Sequence, residues 1–334
     1  ANANRNVDGL DTAVLNDTSV QRFAETVLGL SNPTIRGFSE HVIAQPAPWE
    51  VGRAFLNWTR TRFGLAPVDS SRTANQTVVF SPWPHAEGFR WDNRRNWSTG
   101  YFPIDGDRVE LASHDVRSPV HTLRLAALNF GTGNRLHISG GCIGADTVSA
   151  TGSGATVEIT RAGQFRIGGH AAASGLQISV TDGRFFNMGT VTAGISAIAA
   201  GFAELVLATG AGAFTLAAGE TLTLTGGTCR CGFDGTDGGA ASLTLSGTLT
   251  MTAAAGALPQ IREFRSGMWG ETAPNLASTV TCGGTLNVDV TGVAPGTYDL
   301  IRADAVAGSF DTVAITGGAG TLAYTATQVR LTVT

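Results

Sequence analysis

The chain has 334 residues, a formal net charge of −4 and only 14% charged residues, against about a quarter in a typical globular protein. All 22 basic residues are arginine, which excludes mechanisms that need a catalytic lysine, and the absence of an arginine-rich run argues against nucleic acid or an anionic membrane surface as a partner. No stretch approaches 18 consecutive apolar residues, so no membrane span is expected, and the first twenty residues do not have the pattern of a signal peptide.

The sequence predicts a separate helical region over residues 1–66. Four apolar side chains there recur at steps of three and four residues: Val20, Phe23, Val27 and Leu30. Thr18 or Ser19 is the expected N-cap of this helix, and Gly29 lies near its end. A second helix is predicted over 49–63, with prolines before it and a glycine after it. We interpret the region as a docking domain for a larger assembly.

Residues 67–107 form a transition that is rich in tryptophan and proline. Five of the six tryptophans lie between positions 49 and 97: Trp49, Trp58, Trp83, Trp91 and Trp97. Aromatic residues at this density predict a compact, irregular packing unit. We interpret it first as a hydrophobic cap over the open end of a β stack. Two further hypotheses are carbohydrate stacking on exposed indoles and docking to another subunit.

From residue 108 to residue 334 the sequence becomes a series of short runs in which apolar and polar residues alternate. Glycine and asparagine turns separate these runs. Comparable apolar residues recur 21, 19, 29, 17 and 21 residues apart, at positions 136, 157, 176, 205, 222 and 243. A repeat near twenty residues that tolerates insertions is typical of a solenoid coil.

The predicted fold class is therefore mainly β: a right-handed parallel β-solenoid (β-helix) over 108–334, with divergent closing coils from about 258. One coil cannot bury its apolar side chains alone, whereas coils stacked about 4.8 Å apart pair every strand and form one interior. The length of this segment gives on the order of ten coils. A β-sandwich is the alternative fold, because short strands with frequent turns also fit it.

Residues 91–109 resemble a known segment. Their pattern, W-x-x-x-x-N-W-S-x-G-x-x-P-x-x-G-D-x-V, is similar to the segment that opens the first coil in many β-solenoid surface proteins of the autotransporter-associated kind. Three C-terminal runs, 284–290, 296–301 and 308–313, are similar to the closing coils of the same group. The resemblance covers about 91–334 and implies a surface-exposed solenoid, but it specifies no substrate.

Those surface proteins normally carry a secretion signal, which the first residues of this sequence do not show. A surface-type solenoid without that signal suggests a particle assembled inside the cell, so the chain also looks like a spike or fibre of a phage or gene-transfer agent. That resemblance implies attachment to other virion subunits, a homo-oligomer in which a trimer is favoured, and binding of host polysaccharide or protein. The implied location is the virion or an extracellular surface.

Two alternative functions stay open. A secreted bacterial β-solenoid adhesin would show the same pattern once its signal was removed. A polysaccharide lyase or glycosidase on a β-helix would need carboxylates for acid–base chemistry. Asp234 and Asp237, in a glycine-rich turn, are weak catalytic candidates for such an enzyme, but aspartates are also favoured turn residues. The sequence therefore favours a protein without catalytic activity.

The side chains expected to bind a ligand lie at outward strand positions. Four polar residues stand between apolar neighbours, so the two-residue period places them on the outer face: His137, Glu158, Arg166 and Gln177. We interpret them first as solvated surface and second as a glycan-binding strip. Three tryptophans are the other candidates for glycan binding: Trp83, Trp91 and Trp97. An acidic residue also falls about once per coil and suggests a ladder: Glu158, Asp182, Glu204 and Glu220.

The cysteines and histidines predict no metal site and no cofactor. The cysteines are too few for disulfide bonds to stabilise a chain of this length: Cys142, Cys229, Cys231 and Cys282. Cys229 and Cys231 form a single C-x-C without a second pair at zinc spacing, and no two histidines share one element at metal spacing. Thiols packed inside the coils are the favoured interpretation.

Overall fold

The protein consists mostly of β-strands and contains a β-solenoid of about eight turns. The computed structural model describes residues 18–30, 54–55, 58, 61, 76–80, 90–92, 96–99, 102–111, 115–118, 122–234, 240–264 and 278–334. The chain divides into two compact units, 1–73 and 74–334. The predicted parallel β-solenoid is thereby confirmed, and the β-sandwich alternative is wrong. Its right-handed sense stays a prediction.

The N-terminal unit contains the helix α1, Thr18–Thr26. Phe23 is fully buried, and its ring lies 5.1 Å from that of Phe55 and 5.9 Å from that of Trp58, measured between ring centroids. The described residues of the second predicted helix, at positions 54, 55, 58 and 61, are helical. Gly29 has a positive φ of 68°, and the Leu30 amide donates to the Ala24 carbonyl oxygen at 3.0 Å, which ends the helix as the sequence predicts.

The described residues of the second unit form 22 strands. They are β1 (Thr77–Phe80), β2 (Arg108–Leu111), β3 (Asp115–Arg117), β4 (Thr122–Phe130), β5 (Arg135–Ser139), β6 (Cys142–Ala150), β7 (Ala155–Thr160), β8 (Gly163–Asn187), β9 (Thr190–Thr209), β10 (Ala213–Leu216), β11 (Thr221–Thr225), β12 (Arg230–Asp234), β13 (Ser242–Leu245), β14 (Thr248–Thr252), β15 (Gln260–Phe264), β16 (Thr279–Cys282), β17 (Thr285–Asp289), β18 (Gly296–Arg302), β19 (Ala305–Gly308), β20 (Thr312–Thr316), β21 (Gly320–Tyr324) and β22 (Gln328–Val333).

Parallel pairing arranges these strands into three faces, which we call A, B and C. Face A continues from β1 and β2 through β4, β6, β8 and β9 to β10, β13, β16 and β19. Face B runs from β3, β5 and β7 through β8 and β9 to β11, β14, β17 and β20. Face C contains the starts of β4, β6 and β8, the ends of β8 and β9, and then β12, β15 and β18. The long strands β8 and β9 bend at the corners and contribute to all three faces.

The interior consists of apolar columns that pass through the stacked coils. One column on face B is formed by register partners: Leu136, Val157, Ile178, Ala197, Leu222, Leu249, Leu286 and Val313. Its members are at most 1% exposed except Val313, which is 41% exposed in the last parallel strand. Burial of one large aliphatic side chain contributes about 1.5–3 kcal/mol, so such columns are the main stabilising element.

Aromatic packing closes the first turn of the solenoid. The Trp97 ring lies 4.9 Å from that of Phe80 and 4.8 Å from that of Trp91, and both indoles are buried. The Trp97 Nε1 donates to the Trp91 carbonyl oxygen at 2.7 Å. Because β1 already pairs in parallel with β2, the stack begins inside 67–107, which the sequence analysis treats as irregular. A four-residue strand has too short a pattern to stand out there.

The last turn departs from parallel pairing. β18 pairs antiparallel with β22, and β21 also pairs antiparallel with β22. Strands β19 and β20 pair in parallel with the preceding coil through β16 and β17. Val313 and Tyr324 are partly exposed at this end, at 41% and 37%. The final hairpin therefore covers part of the last coil and leaves part of its apolar surface in contact with solvent.

Candidate ligand-binding groove

His137 and Glu158 meet on face B, where the sequence analysis places an outward strip. The two residues are register partners, and the His137 Nδ1 lies 2.8 Å from a Glu158 carboxylate oxygen. Arg135 lies 3.3 Å from the other oxygen of the same carboxylate. The side chains are about one-third to one-half exposed, so the pairs are worth about 0–1 kcal/mol each. Their polar groups are already engaged with one another.

Gln177 and Arg166 do not join this pair. Gln177 lies on face B but is the register partner of Thr156, in the column next to that of Glu158. Arg166 lies on face C, where its guanidinium carbon is 5.3 Å from the centre of the Phe186 ring and a terminal nitrogen donates to Gln164 at 2.9 Å. The predicted binding residues are therefore spread over two faces, and they do not form one strip.

The candidate tryptophans and aspartates are either buried or have side chains that the structure does not describe. Trp91 and Trp97 are buried in the opening turn, so neither indole offers a ring face for a sugar to stack on. Trp83 and Asp237 lie outside the described residues. Asp234 ends β12 and pairs with Thr209 and Phe264 through its backbone, and the position of its side chain is not described.

The predicted acidic ladder is wrong, because its members occupy different faces and corners. Asp182 is the register partner of Phe202, whereas Glu204 lies 3.3 Å from the Arg184 guanidinium. The Glu220 carboxylate accepts hydrogen bonds from the amides of Gly194 and, at 2.8 Å, of Ala217. Glu220 thus holds a corner between faces A and B. One acidic residue per coil does not produce a column unless the residues share a register.

A groove arises where the corner between faces B and C becomes longer from one coil to the next. Ala200, Thr225 and Thr252 are register partners at the end of face B, and Glu204, Arg230 and Gln260 are partners at the start of face C. The connecting segments are 201–203, 226–229 and 253–259, so the corner grows from three residues to four and then to seven. The longer corners project beyond the shortest one.

The third corner projects because it contains a tight hairpin. The Ala254 amide donates to the Ala257 carbonyl oxygen at 3.0 Å, and the Ala257 amide donates back at 3.1 Å. The central residues Ala255 and Gly256 both have positive φ, at 50° and 75°, as a two-residue type I′ turn requires. The second corner is tied to the first, since the Thr228 hydroxyl donates to the Gly201 carbonyl oxygen at 2.8 Å.

The resulting groove has a volume of about 730 Å³. Phe202, at the short corner, forms one wall and is 77% exposed, a large value for a phenylalanine. Leu258 and Gln260 line the groove at the longest corner and directly after it, and Arg230 and Arg262 line it on face C. The groove therefore combines one exposed aromatic ring with several hydrogen-bond donors.

Gly232 lies between Val206 and Arg262 in the stack of coils on face C. On face C, Val206, Gly232 and Arg262 are register partners, so the middle position has no side chain. Gly232 has φ 149°, and a Cβ atom placed there would lie 1.8 Å from the Arg262 carbonyl oxygen. The close approach of the two backbones therefore requires glycine at this position.

The thiols beneath the groove do not add charge to it. Cys229 and Cys231 are buried on either side of the outward Arg230. Burial raises the pKa of Cys229 to about 12 and raises the pKa of Cys231 well above its ordinary value. Both groups are therefore neutral thiols at physiological pH. The charge of the groove comes from its arginines.

We expect only one cysteine to react readily in the folded protein. Burial raises the pKa of Cys282 to about 11, whereas Cys142 is only half-buried and has a smaller increase. Because the thiolate is the reactive form, a chromogenic disulfide reagent at pH 8 should titrate Cys142 first and all four thiols after denaturation. A Cys142→Ser variant serves as the control. Rapid reaction of the folded variant would contradict the buried positions of the other three.

No motif or repeat in the sequence identifies the residues that line the groove. Arg230 was visible only as the middle residue of the C-x-C motif, and alternation between two buried thiols is the signal that points it outward. Phe202 stands alone among glycine and alanine residues, and Arg262 follows the segment 258–261, Leu-Pro-Gln-Ile, which matches no motif. Their proximity depends on corner lengths, which a period near twenty does not specify.

Comparisons with known proteins give no match among protein-family models, curated proteins or solved structures. No helical segment in the described ranges has the length and hydropathy to cross a membrane. Within those same ranges no three histidine, cysteine or acidic residues cluster as metal ligands would. The groove on face C is thus the candidate site for which the structure provides the most geometry.

Proposed function

We propose that the chain is a surface-exposed spike or fibre protein of a phage or phage-like particle that binds a host-surface glycan along face C. In this proposal residues 1–66 attach to other virion subunits, and the solenoids associate as a trimer. The location is the virion or an extracellular surface. The groove beside Phe202 is the observation that carries the binding function.

The chemistry of the groove suits a saccharide. An aromatic ring that is 77% exposed gives a flat apolar surface, on which the C–H face of a sugar ring packs. Sugar hydroxyl groups also need hydrogen-bond partners, which Gln260, Arg230 and Arg262 provide from one side. The solenoid keeps these groups on rigid strands, so little conformational entropy is lost on binding.

Four observations support a position on the surface of a larger assembly. The N-terminal 73 residues form a compact unit of their own, as a docking domain would. Residues 91–109 resemble the opening segment of surface-exposed solenoids. The low content of charged residues and the stacked coils fit a rod that projects from a larger assembly.

Binding to an array of bacterial capsule and lipopolysaccharide saccharides tests the function directly. The full chain is expected to bind a subset of the saccharides, and Phe202→Ala is expected to weaken this binding about tenfold or more through loss of the stacking surface. Val313→Ala is a suitable control, because it also removes an exposed apolar side chain but lies at the far end of the solenoid. Light scattering on the same sample should give the mass of a trimer.

Three results would replace the proposal. Shortening of a bound polysaccharide would favour the lyase or glycosidase. A signal sequence encoded upstream of Ala1 would favour a secreted adhesin. Failure of the wild-type chain to bind any saccharide would contradict glycan binding altogether.

A further inference from the structure

We infer that the groove selects acidic saccharides and that Arg262 is the residue that binds the carboxylate or sulfate group of the sugar. The inference rests on the proposed glycan binding and specifies its ligand class. It depends on the charges of face C, on the position of Arg262 beside Gly232, and on the nearby Phe202 ring.

The described side chains of this part of face C carry an excess of positive charge. Glu204 lies between two arginines, because Arg184 is within 3.3 Å of its carboxylate and Arg230 is its register partner on the other side. Two guanidinium groups therefore lie beside the single Glu204 carboxylate. Arg262 adds a further positive charge, and the cysteines that line the groove are neutral. An anionic ligand complements this pattern.

Arg262 is the arginine best placed to bind the anion. It is exposed and, among the described residues, has no carboxylate within ion-pair distance. It lines the groove, and its register partner Gly232 has no side chain that could compete for the anion. A guanidinium group has a planar fork of donors that matches the two oxygens of a carboxylate or the oxygens of a sulfate. The exposed Arg262 side chain can therefore receive such a group from the groove in bidentate geometry.

Asp182 does not cancel this preference. It is the register partner of Phe202 on the preceding coil, and it does not line the groove. Charge on an exposed arginine alone would give weak selectivity, because solvent and salt screen it. The Phe202 ring should strengthen the selectivity. A sugar that stacks on this ring excludes water from the space beside the arginines, which reduces the screening of their charge.

The test compares three forms of one ligand with the full chain. The probes are a uronic-acid oligosaccharide, the same oligosaccharide with its carboxyl groups reduced to neutral hydroxymethyl groups, and a sulfated oligosaccharide of equal length. We expect the acidic forms to bind about tenfold more tightly than the neutral form at low salt, with the difference falling as salt is raised. A sulfate preference would show which of the two oxyanions fits.

Variants distinguish the role of Arg262 from a general effect of charge. Arg262→Gln should remove the preference for the acidic form, because it should weaken binding of that form much more than binding of the neutral form, whose hydroxyl groups the glutamine amide can still meet. Arg117→Gln, on an exposed position of face B, makes the same charge change away from the groove and should retain the preference. Arg262→Lys keeps the charge but loses the fork, so it should retain only part of the preference.

Each result decides between the two proposals. If Arg262→Gln retains the full preference, or if neutral and acidic forms bind equally to the wild type, the selectivity is wrong while glycan binding stands. If no saccharide binds the wild type, both proposals fail. Tighter binding of a single-stranded oligonucleotide of matched charge would identify a nucleic-acid groove and would overturn the saccharide class.

Discussion

Phe185→Ala is expected to lower the free energy of unfolding by about 3–5 kcal/mol, whereas Phe202→Ala should change it by less than about 0.5 kcal/mol. The two phenylalanines lie on neighbouring coils and lose the same atoms in the substitution. Phe185 is fully buried and its ring stacks on that of Phe165, with 6.2 Å between the centroids. Phe202 is 77% exposed. The difference between the variants therefore measures burial in the solenoid interior.

Unfolding by guanidinium chloride, followed by far-ultraviolet circular dichroism, gives both values. Coils in a solenoid depend on their neighbours, so loss of Phe185 from the middle of the stack weakens contacts with the coils on both sides. The Phe202→Ala protein should unfold at the same denaturant concentration as the wild type while losing saccharide binding. Equal destabilisation by the two substitutions would show that Phe202 is part of the core and would remove the basis of the groove.

The fold could be predicted because strand alternation is a local property. The apolar positions chosen from the sequence on this basis, from Leu136 to Leu243, are all buried. Alternation fixes which side chains point inward. It needs only four or five consecutive residues per strand.

The register of the coils could not be predicted in the same way. In the observed face-B column, successive members are 21, 21, 19, 25, 27, 37 and 27 residues apart. The sequence-based series instead includes Leu205 and Leu243, which belong to faces C and A. It also takes Leu176 in place of Ile178, and it misses Ala197, a small residue in an alanine-rich run. Insertions at the corners change the period, and small residues conceal it.

The groove could not be predicted from the sequence for the same reason. It depends on the lengths of three consecutive corners and on the hairpin at Ala254 to Ala257, so its residues come from coils that no motif connects. Polar residues that were visible as a pattern, such as His137 and Glu158, pair with one another instead. In a solenoid, regular positions stabilise the stack, and departures from the repeat create the space in which a ligand fits.

Gly232→Ala is expected to be strongly destabilising, with a loss of about 3 kcal/mol or more in the free energy of unfolding. The residue has φ 149°, which disfavours any side chain, and the new Cβ would lie 1.8 Å from the Arg262 carbonyl oxygen. Strand β12 pairs with β9 on one side and β15 on the other, and the register with β9 shifts directly after Gly232. The coils would have to separate at this point to accept a methyl group.

Gly219→Ala separates backbone strain from steric overlap. Gly219 also has a positive φ, at 90°, but a Cβ atom placed there would have nothing within 4 Å. Its substitution should therefore cost only the conformational penalty of about 1–2 kcal/mol. Thermal and guanidinium unfolding of both variants should place Gly232→Ala well below Gly219→Ala in stability. Equal stability of the two variants would contradict the close approach of the β12 and β15 backbones at Gly232.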